Sequence, residues 1–215
     1  SSSYDFYVQA NCDGGEVSDW SSKQTASTTM VATSLPYQTD FTTDQSWMMN
    51  TGAAPSYWMM GTPSGATQSA LFVTSDGSSA GYNSSSPAVS MAEKLFTMPA
   101  DDSVHVQFDV EVGGESSFDY LKVFLAPATE EFTPSATSSN TQSSYTYSTY
   151  AFNFNSYLSQ TGYTSYPYKL NLTQGNAIHM DMNVANPDPN GSAKIVFLWR
   201  NDNSVGTQPG AIIRN

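Results

Sequence analysis

A chain of 215 residues has room for one sizeable sandwich or barrel, or for one such domain and a fragment of a second. Only 12 % of it is charged, and nineteen acidic residues against seven basic ones give a formal net charge of −12. That balance excludes the Lys/Arg surface that nucleic acid or an anionic membrane requires. Ser, Thr, Asn, Gly and Tyr take the place of the charges, which suits strands and polar turns better than helices, so the fold class expected is all-β. The single cysteine, Cys12, allows no internal disulfide, and an exported protein without disulfides points to a bacterium. No apolar run is long enough to span a bilayer, so direct membrane insertion is not expected. The opening SSSYDFYVQA reads as the middle of a domain, and the chain is expected to be a mature or trimmed piece of a secreted or cell-surface protein.

In chain order, residues 4–29 hold two strand-like runs, YDFYVQANC and SDWSSKQTAST, joined by Asp13-Gly14-Gly15, a hairpin signal. Two strands cannot bury a core alone. The order of Tyr7, Val8, Ala10, Trp20 and Ser21 resembles the last two strands of a fibronectin type III domain. Residues 1–29 are therefore read as such a hairpin with its linker, and 30–215 as a separate module. Strands are expected at 37–43, 56–61, 69–75, 87–98, 103–112, 118–126, 167–173, 176–184, 193–200 and 209–214, a spacing that argues for a two-sheet sandwich. Residues 103–112 alternate, with Val104, Val106, Phe108, Val110 and Val112 inward and His105, Gln107, Asp109 and Glu111 outward; 176–184 repeat this with Ile178, Met180, Met182 and Val184. Leu121 and Val123 are expected in the core as well. IVFLW at 195–199 is apolar throughout and is read as a central strand covered on both faces, with Ile195, Phe197 and Trp199 in the core. Trp47 and Trp58 are also assigned to the core.

Five blocks in order, LPYQTDF at 35–41, SYWMMG at 56–61, SALFVTSDG at 69–77, GGESSFDYLKVFLAP at 113–127 and IVFLWRNDNSVGTQPGAII at 195–213, resemble the choice-of-anchor J modules. Those are jelly-roll sandwiches related to MAM and cleaved-adhesin domains of Bacteroidetes surface proteins. The resemblance implies a jelly-roll β-sandwich of galactose-binding or MAM-like type, with a structural Ca²⁺ between the first strand and a following loop. On it, Asp40 and Asp76 are the candidate metal ligands, with backbone carbonyls completing the shell. Asp76 also reads as an Asp-Gly turn residue, and Asp40 as an exposed edge charge. The chain departs from the family at Ile212-Ile213-Arg214-Asn215, where the last strand usually reads A-[IV]-D-N-I, and in a long tyrosine-rich insertion at 127–166.

No nucleophile–base motif stands out, and His105 and His179 sit on polar strand faces. Glu115 with Asp119 has the makings of a glycosidase carboxylate pair, but the chain is read as no enzyme. Arg200, following a buried strand, is expected to pair with Asp119 or Asp202. The insertion is uncharged over its aromatic stretch, and Tyr145, Tyr147, Tyr150, Tyr157 and Tyr163 are the candidate ligand-binding residues, since tyrosine offers an apolar face to a pyranose and a hydroxyl to its edge. These rings equally suit packing of the loop onto the sandwich. The expected function is a non-catalytic adhesin or carbohydrate-binding module whose partners are a glycan or host-surface ligand and neighbouring domains of the same chain. The alternatives are a structural spacer, or an accessory domain of a secreted hydrolase.

Overall fold

The computed structural model describes residues 3–11, 14–27, 30–43, 46–115, 117–161, 167–171 and 177–215. The chain divides into two compact units, Ser1–Val31 and Ala32–Asn215. In the first, β1 (Ser3–Phe6) pairs antiparallel with β2 (Gln24–Ser27). Ser3 faces Ser27 whereas Asn11 bridges Val17, so the pairing shifts by two residues on the way to the turn. The Val8 amide donates to the Ser21 hydroxyl at 3.0 Å, and the Ser21 amide to the Val8 carbonyl at 2.8 Å. Phe6, Tyr7, Val8, Val17 and Trp20 are each at least half exposed. Two strands by themselves do not bury a core. Cys12 and Asp13 lie outside the described residues.

The second unit is a β-sandwich. One sheet runs in the order β10 (Ile178–Ala185), β8 (Ser103–Glu111), β12 (Ile212–Arg214), β6 (Ala70–Thr74), β5 (Tyr57–Gly61). The other runs β3 (Thr33–Ser34), β7 (Ala88–Thr97), β11 (Ser192–Asn201), β9 (Tyr120–Pro127), with β4 (Met48–Asn50) also paired to β7. All pairs are antiparallel except the two-residue contact of β3 with β7. A short helix, α1 (Phe154–Thr161), falls inside the insertion. Residues 37–43 form no strand, with bends at 41–43, and of the strand expected at 167–173 the described residues 167–171 contribute the Leu121–Leu170 bridge, residues 172 and 173 lying outside the described ones. No described helix is long and apolar enough to cross a membrane.

The sheets meet face to face over a core assembled from both period-2 patterns. Phe197 is its hub, with the rings of Trp47, Trp58 and Phe108 centred 5.8, 6.2 and 5.4 Å away. Each buried indole N–H has an acceptor: Trp58 donates to the Ser90 carbonyl and Trp199 to Asn201 Oδ1. Phe108, Val110, Leu121, Val123, Ile195, Phe197 and Trp199 are buried as expected, while Val106 is only half-buried.

β11 is apolar throughout because its outer face is covered too, and the cover is the insertion. Val89, Met91, Phe124, Ala126, Val196 and Leu198 form a second core with Phe132, against which Tyr147 and Ala151 pack. The insertion bridges the sheet at Val89–Ser135 and Phe124–Ala151. Lys122 projects from β9 on this side, fully buried, and donates to the carbonyls of Gln142, Ser144 and Tyr147 at 3.0, 2.9 and 2.6 Å. Burial first, and the charge of Lys169 second, push its ammonium pKa down to about 7. Beyond β9 the chain turns inward. Phe152, Phe154 and Leu158 enter the main core, so α1 helps close the sandwich.

Candidate functional site

The insertion spreads its tyrosines along the fold instead of gathering them. Tyr145 is 46 % exposed, with one ring face 4.3 Å from the ammonium of the buried Lys169. Tyr150 is 39 % exposed, and its carbonyl accepts the Leu125 amide at 3.1 Å. Lys169 lies against Tyr120 at the start of β9, so these two tyrosines stand roughly 16 Å apart at about 3.3 Å per strand residue. Tyr147 is half-buried: its ring packs on Phe124 and its hydroxyl donates to Glu130 at 3.0 Å. Tyr157 is half-buried too, donating to the His179 carbonyl at 2.7 Å. Tyr163 lies outside the described residues. A single tyrosine platform is therefore not what the described part of the insertion builds, because two of its rings are used in packing.

A groove does form where the insertion meets the sheet edge. Tyr150, Phe152 and Asn153 line one wall, and Met182, Asn183 and Pro187 the other, around a volume of about 460 Å³. Small-ligand sites commonly enclose about 300–1,000 Å³. Tyr150 sits on its rim with φ of 57°, a left-handed conformation that is an outlier for a bulky side chain. Such strain costs about 1–3 kcal/mol and collects at functional positions. Asn153 and Asn183 add exposed amides, so the groove combines an apolar floor, one aromatic face and two hydrogen-bonding groups. Sequence reading named Tyr150 but neither asparagine, because nothing local links the insertion to β10.

The two carboxylates nominated for calcium are not brought together. Asp40 lines a recess with Gln68 and Ser69, just before β6, whereas Asp76 lies past the far end of that strand. β6 spans roughly 16 Å at about 3.3 Å per residue, so one ion cannot bind both. Asp76 instead organises its own turn, accepting from the amides of Ser78 and Ser79 and the hydroxyls of Ser79 and Thr74. The Ser79 hydroxyl, then the Ser79 and Ser78 amides, hold its pKa far below the usual carboxylate range. Asp40 accepts from the Thr42 amide and hydroxyl.

A different acidic set assembles at the opposite loops. Carboxylate oxygens of Glu115, Asp119 and Asp202 all lie within 4.8 Å of one another. The 113–119 loop is held to the 202–209 loop through Gly114, whose amide donates to Thr207 at 2.6 Å and whose φ of 97° suits glycine. Asp119 is fully buried and accepts from the Tyr82 hydroxyl at 2.6 Å and the Asp202 amide at 2.9 Å. Burial raises its pKa, with those two hydrogen bonds opposing. Three clustered carboxylates suit a hard cation such as Ca²⁺. They do not suit glycoside cleavage, since Asp119 is sealed from any substrate.

Among the described residues Arg200 meets no carboxylate: it donates to the carbonyls of Ser138 and Phe118 and lies over the Tyr120 ring. His105 bonds Asp181 at 2.6 Å and His179 bonds Asp109 at 2.8 Å, both on the open outer face of the β8–β10 ladder. Compared with known proteins, the chain matches no family model, and no curated protein is detectably similar to it.

Proposed function

We propose that Ala32–Asn215 is a non-catalytic carbohydrate-binding or adhesin module of jelly-roll type, carried by a secreted or surface-exposed bacterial multidomain protein. The observation that carries this reading is the groove at Tyr150, where an exposed, backbone-strained aromatic stands over an apolar floor beside Asn153 and Asn183. An aromatic face with neighbouring amides is what a pyranose ring and its hydroxyls require. The chain's net charge of −12 favours a neutral or cationic ligand over an acidic one. Where a structural calcium forms part of the module, Glu115, Asp119 and Asp202 are the residues that would hold it.

A glycan array with the purified protein tests the proposal, followed by titration of any positive sugar against Tyr150→Ala. Loss of one stacking contact is worth about 0.5–1.5 kcal/mol if ring–sugar stacking resembles ring–ring stacking, a weakening of up to about tenfold. A blank array with folded protein puts the spacer reading in front. The packing of Tyr147 and Tyr157 supports that reading, since it shows part of the insertion serving the fold.

A further inference from the structure

The groove beside Tyr150 lies in the least charged part of a strongly charged chain. Residues 132–168 and 170–178 contain no Asp, Glu, Lys, Arg or His, although the whole chain carries a net charge of −12. The carboxylates that flank the groove along β10 and its following turn are engaged elsewhere. Asp181 bonds His105 and Gln107 on the outer face of the β8–β10 ladder, and Asp188 accepts the Ser192 amide at 2.9 Å. Among the described residues, only uncharged side chains line the groove. A charged ligand group entering it would lose water without gaining a partner.

The polar groups of the groove are amides. The His179 carbonyl accepts the Tyr157 hydroxyl and so points off the edge of β10 towards the insertion. Backbone direction alternates along a strand, so the N–H and C=O of Asn183 point off the same edge, and Asn183 borders the groove. The floor is hydrocarbon: Leu125 and Phe152 are buried, Met182 and Val184 half-buried. A plain hexose can set one C–H face on Tyr150, but its ring edge carries hydroxyls that such a floor leaves unpaired. An acetamido substituent removes that conflict. Its methyl covers the floor, and its N–H and C=O complement the C=O and N–H of the strand edge. A 6-deoxy sugar brings a methyl without the amide, and an unacetylated amino sugar brings its nitrogen as a cation.

We infer that the groove selects an uncharged sugar bearing an N-acetyl group, an N-acetylhexosamine unit of a glycan, over the parent hexose and over charged sugars. The inference rests on the carbohydrate reading above and narrows it to one ligand class. Tyr150 supplies a ring face that any pyranose can use, whereas selection comes from the hydrocarbon floor and the edge of β10.

The test titrates the isotope-labelled protein, followed by its amide NMR shifts, with the methyl glycosides of N-acetylglucosamine and N-acetylgalactosamine. The parent hexoses, the free-amine sugars and the N-formyl analogues complete the panel. At least one acetamido sugar is expected to bind about tenfold or more tighter than its parent hexose, the scale of one buried methyl with one amide hydrogen bond. Its N-formyl analogue, which keeps the amide and lacks the methyl, is expected to bind about fourfold more weakly. The Asn183 amide is expected to shift in both titrations. Tyr150→Ala is expected to weaken acetamido sugar and hexose by the same factor, so that their ratio survives. Four results overturn the inference: acetamido sugar and hexose binding alike; the free amine matching the acetamide; the N-formyl sugar matching the N-acetyl one; or shifts confined to amides away from Asn183 and Asn153. Silence from every sugar with folded protein is a different outcome, which removes the carbohydrate reading and this inference together.

Discussion

On the outer face of β8 and β10 stand His105, Gln107, Asp109, His179 and Asp181, exposed or half-buried and bonded across the ladder. The outer face of β7, β11 and β9 carries Met91, Glu93, Lys122, Phe124, Lys194 and Leu198, all buried beneath the insertion or beside it. The inner surfaces of the two sheets are alike, so the difference lies in who covers the outside. An open face lets polar side chains satisfy one another and water. A covered face must give each cation a partner within the protein. Lys122 takes three carbonyls, Lys194 pairs with Glu93 at 2.8 Å, and Arg200 takes carbonyls and a ring. These cations fasten irregular chain to regular strands.

Lys122→Met sharpens that contrast most. It keeps the length of the side chain but leaves three carbonyls without their donor, at about 1 kcal/mol or more each. The expected loss is about 3 kcal/mol in urea unfolding, with faster amide exchange in residues 142–147; a change under about 0.5 kcal/mol would place the insertion's hold elsewhere.

Next in size, Asp76→Ala strips four hydrogen bonds from one turn, and the melting temperature is expected to fall equally with and without chelator. Asp119→Asn separates the other acidic set. If calcium raises the melting temperature of the wild type, that rise is expected to survive Asp76→Ala and vanish in Asp119→Asn, because a ligand stabilises only the state that binds it.

Acidity distinguishes a sealed carboxylate from an open one. Burial raises the folded-state pKa of Asp119, so its favourable contribution is present below the unfolded value of about 3.9 and lost as pH rises through the folded one. Asp119→Asn is expected to gain on the wild type as pH climbs above about 4 in calcium-free buffer. Asp181 has the opposite sign: the hydrogen bond from His105, then that from Gln107, lower its pKa, so its contribution is lost on acidification. The smallest effect belongs to Gln107→Ala on the open face, within about 0.5 kcal/mol of wild type at neutral pH. A larger cost there would mean that the open face is covered in the working protein.

The faces differ in legibility for the same reason that they differ in chemistry. SVHVQFDVEV alternates because water lies on one side, and that period is visible in the chain; IVFLW announces a covered strand without naming its cover. The insertion has no period, so composition alone does not separate Tyr150, which stays out, from Tyr147, which packs on Phe124. The position of Arg200 after a buried strand points to a carboxylate partner, whereas the carbonyl acceptors it meets on irregular chain leave no mark in the sequence. Glu115 and Asp119 are four residues apart and could be paired by eye, but Asp202 joins them from 83 residues away. Asp40 and Asp76 are linked in the sequence by the resemblance alone, and the length of β6 separates the recess beside Asp40 from the turn that Asp76 organises.

The insertion's double use of tyrosine also sets rules for anyone wishing to redirect this domain. A randomised library at Tyr145 and Tyr150 varies side chains that face outward, and leaves untouched the anchors that hold the segment in place. The same library at Tyr147, Phe152 or Phe154 would sample mostly misfolded clones, since Phe152 and Phe154 sit in the main core and Tyr147 against the second. A segment that reads as one low-complexity stretch is thus a lattice of permissive and forbidden positions, alternating over a few residues.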